Sequence, residues 1–149
     1  MITRWLLLAV LTAGFRPANF DVQPIDKPFF DESWLTLPDG TSVIAERTKW
    51  VHTPTTRTYY VTVARAKDVV QADALLDAYA HRVSISGSRI AEHGADRMQQ
   101  FHLPNIPPHH LVARWGRNVA AVVQTGGDQG IALPELPELL EELRSTLTK

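Results

Sequence analysis

The chain has 149 residues, of which 44% are hydrophobic and 21% charged, so it is long enough for one domain with a core and is not globally disordered. Its 15 basic and 16 acidic residues form no block of like charge, which argues against binding to nucleic acid or to an anionic membrane. The sequence contains no cysteine, which excludes disulfides, thiolate metal sites and a cysteine nucleophile.

The N-terminus, MITRWLLLAVLTAGFRPANF, has the pattern of a secretory signal peptide. Arg4 provides a positive charge ahead of an uncharged apolar run at 5–13, and small residues up to Gly14 suit a signal-peptidase site. The run is shorter than the roughly 20 apolar residues of a spanning helix. We therefore predict a signal peptide at 1–14 and a secreted or periplasmic protein without a membrane span after cleavage. An uncleaved anchor and a buried N-terminal segment of a cytoplasmic domain are the alternatives.

Residues 15–33 contain three prolines and little periodicity, so we predict an extended leader followed by a single domain over 34–149. WLTL and SVIAERTKWV are strand-like runs, separated by a turn that contains proline and glycine. TYYVTVAR is rich in β-branched and aromatic residues and is predicted to pair with the run before it as a hairpin.

Two helices are predicted from apolar residues at helical spacing. Asp68 is the expected N-cap of the first, because Gln71 stands at capping-box spacing and apolar residues recur as far as about His81. The second helix is marked by a stripe of leucines: Leu136, Leu139, Leu140, Leu143 and Leu147. Acidic residues near its start and basic residues near its end complement the helix dipole, so we predict that this stripe packs on one face of a sheet.

Three further strands are predicted around 88–93, 97–103 and 109–115. The last should form a hairpin with VAAVV through the turn GRN, and TGGDQG should be a flexible loop. The order of strands, helix, strands and helix predicts an α+β fold, an antiparallel β-sheet of about five to six strands covered by a mid-chain helix and a C-terminal helix.

Three segments carry a resemblance to a known class: VVQADALLDAY in the mid-chain helix, HLVARWGRNVAAVV in the late hairpin and LPELPELLEELRSTL in the closing helix. In this order they resemble the PsbP-like class of secreted bacterial domains, which includes actinobacterial LpqN-type lipoproteins and extracellular sensor domains of kinases. The resemblance covers a little over half of the chain and implies a non-enzymatic binding, sensing or accessory role outside the cytoplasm. The chain lacks the lipid-bearing cysteine of the lipoproteins and the disulfides of the sensor domains, and the class has no shared catalytic motif to transfer.

The stretch FHLPNIPPHHLVARW holds three of the six histidines. Its prolines exclude a helix, so His109 and His110 should lie at a strand entrance with their side chains on opposite faces. His102 is able to approach one of them across the ladder, but zinc usually has three or four protein ligands and only His93 is near in sequence. The pattern therefore predicts strand and loop histidines, without a metal or cofactor.

The remaining patterns indicate no catalytic residue. Serines around Gly87 lack the GxSxG arrangement, and the glycines of TGGDQG lack a phosphate-binding motif. Glutamates at 138, 141 and 142 are predicted to share the solvent face of the last helix. Strand aromatics such as Trp50 and Trp115 indicate either core packing or a groove for a ligand or partner.

We therefore expect a small exported domain that binds or senses an unidentified protein or small molecule, or serves as an accessory domain, without catalysis. The candidate binding residues are His102, His109, His110, Trp50 and Trp115. Two alternatives stay open. One is a small periplasmic hydrolase, histidine-dependent or metal-assisted, in which histidines converge with a carboxylate. The other is a structural subunit of an envelope complex that docks through its aromatic strands.

Overall fold

The computed structural model describes residues 19–28, 30–83, 87–89, 95–103, 106–125 and 135–148; at 87–89, 101–103, 106–109, 125 and 136 it describes the backbone alone. The strands are β1 (Phe20–Pro24), β2 (Ala45–His52), β3 (Thr58–Arg65), β4 (Gly87–Arg89), β5 (Arg97–Leu103), β6 (Ile106–Trp115) and β7 (Asn118–Thr125), and the helices are α1 (Val69–Val83) and α2 (Leu136–Leu147). None of the helices in these ranges is long and apolar enough to cross a membrane.

The strands form one antiparallel sheet in the order β1-β2-β3-β7-β6-β5-β4. Two consecutive meanders, β1 to β3 and β4 to β7, meet where β7 returns to pair with β3. The predicted α+β class, with an antiparallel sheet, a mid-chain helix and a C-terminal helix, is confirmed. The described ranges contain seven strands rather than five to six, because β1 comes from the predicted leader.

The two helices cover opposite faces of the sheet, so the molecule has three layers. Strand side chains alternate between the faces, which gives each helix its own apolar surface to cover. On one face, α1 packs with a core that includes Ala72, Leu76, Tyr79, Val112 and Ala121. On the other face, α2 packs with a core that includes Leu139, Leu140, Leu143, Val61 and Leu111.

Helix α1 begins as its capping residues predict. The Gln71 backbone N–H donates to Asp68 Oδ1 at 2.8 Å, and the Gln71 side-chain oxygen accepts from the Lys67 backbone N–H at 2.9 Å. The first bond satisfies an amide that a helix start leaves without an intrahelical partner, and the second ties the residue before the cap to the first turn. The helix continues to Val83, two residues beyond the predicted end.

Within the predicted leader, residues 20–24 form β1, and Asp31 and Glu32 bind α1 and β2. Strand β1 pairs with β2 from Phe20↔His52 to Pro24↔Thr48. Further along, Glu32 binds Arg47 through two hydrogen bonds of 2.5 and 2.6 Å, and Arg82 of α1 binds Asp31. The Arg82 hydrogen bonds hold the pKa of Asp31 below its usual value. The sheet and α1 are therefore both tied to residues before 34.

The prediction of a strand at WLTL is wrong. Ser33–Leu35 forms a 3-10 turn, in which the Leu35 N–H donates to the Glu32 carbonyl, and the Ser33 N–H donates to Asp31 Oδ1 at 2.6 Å. This local capping competes with extended backbone. Trp34 and Leu35 are instead buried against α1. The next strand begins only at Ala45, and its predicted hairpin with β3 is confirmed.

The late strands lie close to their predicted positions. Strand β5 spans 97–103 as predicted, and β6 and β7 form the predicted hairpin through a turn in which Gly116 has a φ of 60°. Such a φ favours glycine. Of the strand predicted at 88–93, residues 88 and 89 belong to β4; residues 90–94 and the loop at 126–130 lie outside the described residues.

Candidate functional site

His110 is a core residue. It lies in β6, is 3% exposed, and its Nδ1 is 2.6 Å from the Tyr79 hydroxyl of α1. The Phe30 ring meets the imidazole edge-on, with 4.6 Å between ring centroids. Burial raises the pKa of Tyr79 above its usual value of 10.0. His110 therefore joins α1 to the sheet beneath it.

The other two candidate histidines are described by their backbone positions alone. His109 pairs with Gln124 of β7, and the register of β5 and β6 places Phe101 opposite His110. His102 falls where that register shifts between Phe101 and Leu103. Their side chains lie outside the described residues, as does His93, so convergence of His93, His102 and one of the 109–110 pair with a carboxylate stays a hypothesis. Within the described ranges, no three histidine, aspartate or glutamate side chains are arranged to hold a metal ion.

The two candidate tryptophans lie in the core beneath α2. Trp50 is fully buried, its indole N–H donates to Thr48 Oγ1 at 2.8 Å, and the Phe20 ring packs edge-on against it. Trp115 is 3% exposed and belongs to the same cluster as the α2 leucines. Of the two interpretations of these aromatics, the structure favours core packing over an open groove.

A polar cluster that the sequence did not predict lies where α2 begins. We call it the Glu135 cluster; its members are His52, Arg57, Tyr59, Glu135 and Glu138. Glu135, the residue before α2, is 6% exposed and accepts a hydrogen bond from the Tyr59 hydroxyl. Arg57 donates to the other carboxylate oxygen at 2.7 Å. Burial, and then the hydrogen bond to Glu135, raises the pKa of Tyr59.

His52, the last residue of β2, occupies the edge of this cluster with both ring nitrogens engaged. Its Nδ1 is 2.8 Å from Thr55 Oγ1 in the hairpin turn, and its Nε2 is 3.3 Å from Glu138 Oε1. Glu135 Oε2 lies farther from Nδ1, at 3.9 Å. Asn19 donates to the second Glu138 oxygen at 2.6 Å. An ionised Glu138 carboxylate accepts hydrogen bonds and donates none. Its contact with Nε2 therefore favours the His52 tautomer that carries the proton on Nε2.

The Glu135 cluster is assembled from residues far apart in the chain. Glu135 stands 76 residues from Tyr59, and Glu138 stands 86 residues from His52. No local spacing marks such a cluster, so only knowledge of the sheet order would have found it. The prediction that Glu138 shares the solvent face with Glu141 is corrected, because its carboxylate turns toward His52 and Asn19.

The opposite end of the sheet presents aliphatic and basic side chains to solvent. Ile44, Val69 and Val70 are 72%, 43% and 78% exposed. They stand where β2 begins and where the chain leaves β3 for α1, since Ala45 pairs with Ala64. Arg65, Lys67 and Arg117 are exposed at the same end, and Arg117 donates to the Lys67 carbonyl at 3.2 Å. We call these six residues the basic-aliphatic end.

Two carboxylates lie near the basic-aliphatic end, and each accepts a hydrogen bond from a backbone amide. Asp39 accepts from the Thr41 N–H at 2.9 Å, which lowers the pKa of Asp39, and Asp68 caps α1. Three cations therefore face two carboxylates that already serve the local backbone. Exposed cations and two backbone-bound carboxylates therefore lie beside the exposed aliphatic side chains.

Searches with models of known protein families, among curated proteins and among solved structures found no match for this chain.

Proposed function

We propose that the chain is a small exported binding, sensing or accessory domain that acts through the basic-aliphatic end. The observation that carries the proposal is the exposure of Ile44 and Val70, at 72% and 78%, at one end of the domain, whereas most other large aliphatic side chains of the described residues are in the core. Exposed aliphatic side chains grouped with a polar rim are typical of interaction sites. The fitting partner is a protein surface with an apolar centre and acidic residues around it, since the rim carries Arg65, Lys67 and Arg117.

The positions of the described candidate residues give no support to the two alternatives at those residues. His110 is buried and its Nδ1 bonds with the Tyr79 hydroxyl, which gives no support to a hydrolase built on that residue. Trp50 and Trp115 are buried beneath α2, which weakens the case for an envelope subunit that docks through aromatic strands. A relationship to PsbP-like domains is a further proposal, and it rests on the three sequence segments that resemble that class.

Charge substitutions at the basic-aliphatic end test the proposed role. Ile44→Lys/Val70→Lys replaces two exposed aliphatic side chains without disturbing the core. After chemical cross-linking in the native host, the wild type should co-purify with a specific protein and the double variant should not. Thr53→Lys, exposed at the other end of the sheet, is the matched control and should behave as the wild type. Equal recovery of the partner by all three proteins would overturn the proposal.

The proposed export has a separate test. N-terminal sequencing of protein made in its native host should find a chain that begins near Phe15. A cytosolic product that keeps Met1 would contradict export without bearing on the binding surface.

A further inference from the structure

Thr55, His52 and Glu138 form a chain of hydrogen bonds at the exposed tip of the β2–β3 hairpin. The Thr55 hydroxyl lies 2.8 Å from His52 Nδ1, and His52 Nε2 lies 3.3 Å from Glu138 Oε1. With the proton on Nε2, Nδ1 is free to accept, so the Thr55 hydroxyl is the donor of its bond. A hydroxyl, an imidazole and a carboxylate linked in this order form the arrangement that activates hydroxyl nucleophiles.

The surroundings of Thr55 suit attack on a substrate that arrives from solvent. Thr55 is exposed, whereas His52 is 7% exposed and held in place by the edge of the Phe20 ring, with 5.1 Å between ring centroids. In the part of the chain that the structure describes, the backbone N–H of Thr55 donates to no acceptor. In serine hydrolases, one donor of the oxyanion hole is the backbone N–H of the nucleophilic residue. The Thr55 N–H is the corresponding donor here.

We propose that Thr55 is an acyl-accepting nucleophile, with His52 as its base and Glu138 as the positioning residue. This activity goes beyond the binding role and is independent of it, because the basic-aliphatic end lies roughly 25 Å away along β2. The substrate class is a small acyl ester, since a nucleophile on an exposed hairpin tip needs a carbonyl that reaches it without a deep pocket.

The step balances with groups present in the protein and with water. Thr55 Oγ forms a bond to the acyl carbon while its proton passes to His52 Nδ1, and the carbonyl electron pair moves to the oxygen beside the Thr55 N–H. The ester C–O bond then breaks, and the leaving alkoxide takes the proton from His52. Water attacks the acyl-threonine by the same path, which releases the acid and restores the hydroxyl.

The probe for this proposal is p-nitrophenyl acetate, with full-length protein. The wild type should release p-nitrophenolate, and mass spectrometry after an acid quench should find acetyl on Thr55. Thr55→Val, which keeps the shape of the side chain, should lower the rate of p-nitrophenolate release by about 100-fold. Thr53→Val, exposed in the same turn, is the matched control and should retain the wild-type rate. Unchanged release by Thr55→Val, or acetyl on another residue, would overturn the proposal.

Glu138→Gln separates positioning from a merely structural role. It should lower kcat for the probe with little change in KM, and the nitrogen chemical shifts of His52 should show loss of the Nε2-protonated tautomer. An unchanged tautomer and kcat would remove Glu138 from the proposal. None of these substitutions changes Ile44 or Val70. A negative result for the acyl-transfer proposal would therefore not affect the binding proposal, which is tested separately.

Discussion

At the scale of single residues, two buried polar groups of this domain bind partners on other elements. Glu135 is held by Tyr59 and Arg57, and His110 is held by Tyr79. Buried polar groups are costly when they lack partners, so these contacts fix where each helix sits on the sheet. They also explain why the histidine-rich stretch does not form an open site at His110.

Glu135→Gln tests the contribution of the first of these contacts. The amide removes the negative charge that Arg57 and Tyr59 bind at Glu135, so we expect the free energy of unfolding to fall by about 1–3 kcal/mol. Glu141→Gln is the matched control: Glu141 binds Arg144 on the exposed face of the same helix, and its loss should cost less than about 0.5 kcal/mol. Urea unfolding measures both. Equal effects would mean that the Glu135 cluster does not anchor α2.

Tyr79 should make the domain sensitive to alkaline pH. Burial raises the pKa of its phenol above 10.0, so the unfolded chain loses this proton more readily than the folded chain does. The stability that this group contributes is complete below pH 10.0 and is lost as the pH rises above it. Tyr79→Phe should therefore lose less stability than the wild type between about pH 8 and about pH 11. Parallel losses in urea unfolding at the two pH values would contradict the role of the buried phenol.

At the scale of elements, the two helices could be predicted because their signals are local. The Asp68–Gln71 capping spacing and the leucine stripe of α2 each lie within one short segment. The residue types at Ser33–Leu35 favour a strand, so the sequence does not predict the 3-10 turn. The Asp31 cap and burial of this segment against α1 determine its conformation instead. Strand β1 was missed because five residues with an exposed proline show little alternation. The Glu135 cluster and the basic-aliphatic end depend on sheet order, which no local pattern contains.

The α2 leucines should contribute a large part of the stability. Leu140 and Leu143 are fully buried on the face opposite α1. Truncation in a packed core costs about 2–5 kcal/mol, so Leu140→Ala or Leu143→Ala should lower the free energy of unfolding by that amount. Glu141→Ala, on the exposed face of the same helix, should stay within about 0.5 kcal/mol. Urea melts that gave the leucine and glutamate variants the same midpoint would mean that α2 is not part of the core.

At the scale of the whole molecule, the domain is one sheet with a helix on each face. Residues 20–32, called here the N-terminal segment, are joined to this sheet and to α1. Phe20 enters the core beneath α2, while Glu32 and Asp31 tie the segment to β2 and α1. The same sheet separates two surfaces of different chemistry, the hairpin tip with Thr55 and the basic-aliphatic end. The proposed binding surface and the proposed acyl-transfer site therefore lie at opposite ends of the sheet.

A truncation series tests the integration of the N-terminal segment. A chain that begins at Phe15 keeps β1 and should unfold in one cooperative transition. A chain that begins at Trp34 loses the buried Phe20 ring and both ion pairs, so its stability should fall by at least about 3 kcal/mol. Thermal and urea unfolding of the two chains provide the comparison. Equal stability would place the boundary of the folded domain at residue 34, as its sequence predicts.

Site-specific photo-cross-linking in the native host addresses the proposed binding surface. A photoreactive amino acid at Ile44 or at Val70 should capture the same partner protein from both positions. The same probe at Thr53, exposed at the far end of β2, should capture none. Capture at Thr53 alone, or no capture at Ile44 and Val70, would contradict a binding role for the basic-aliphatic end.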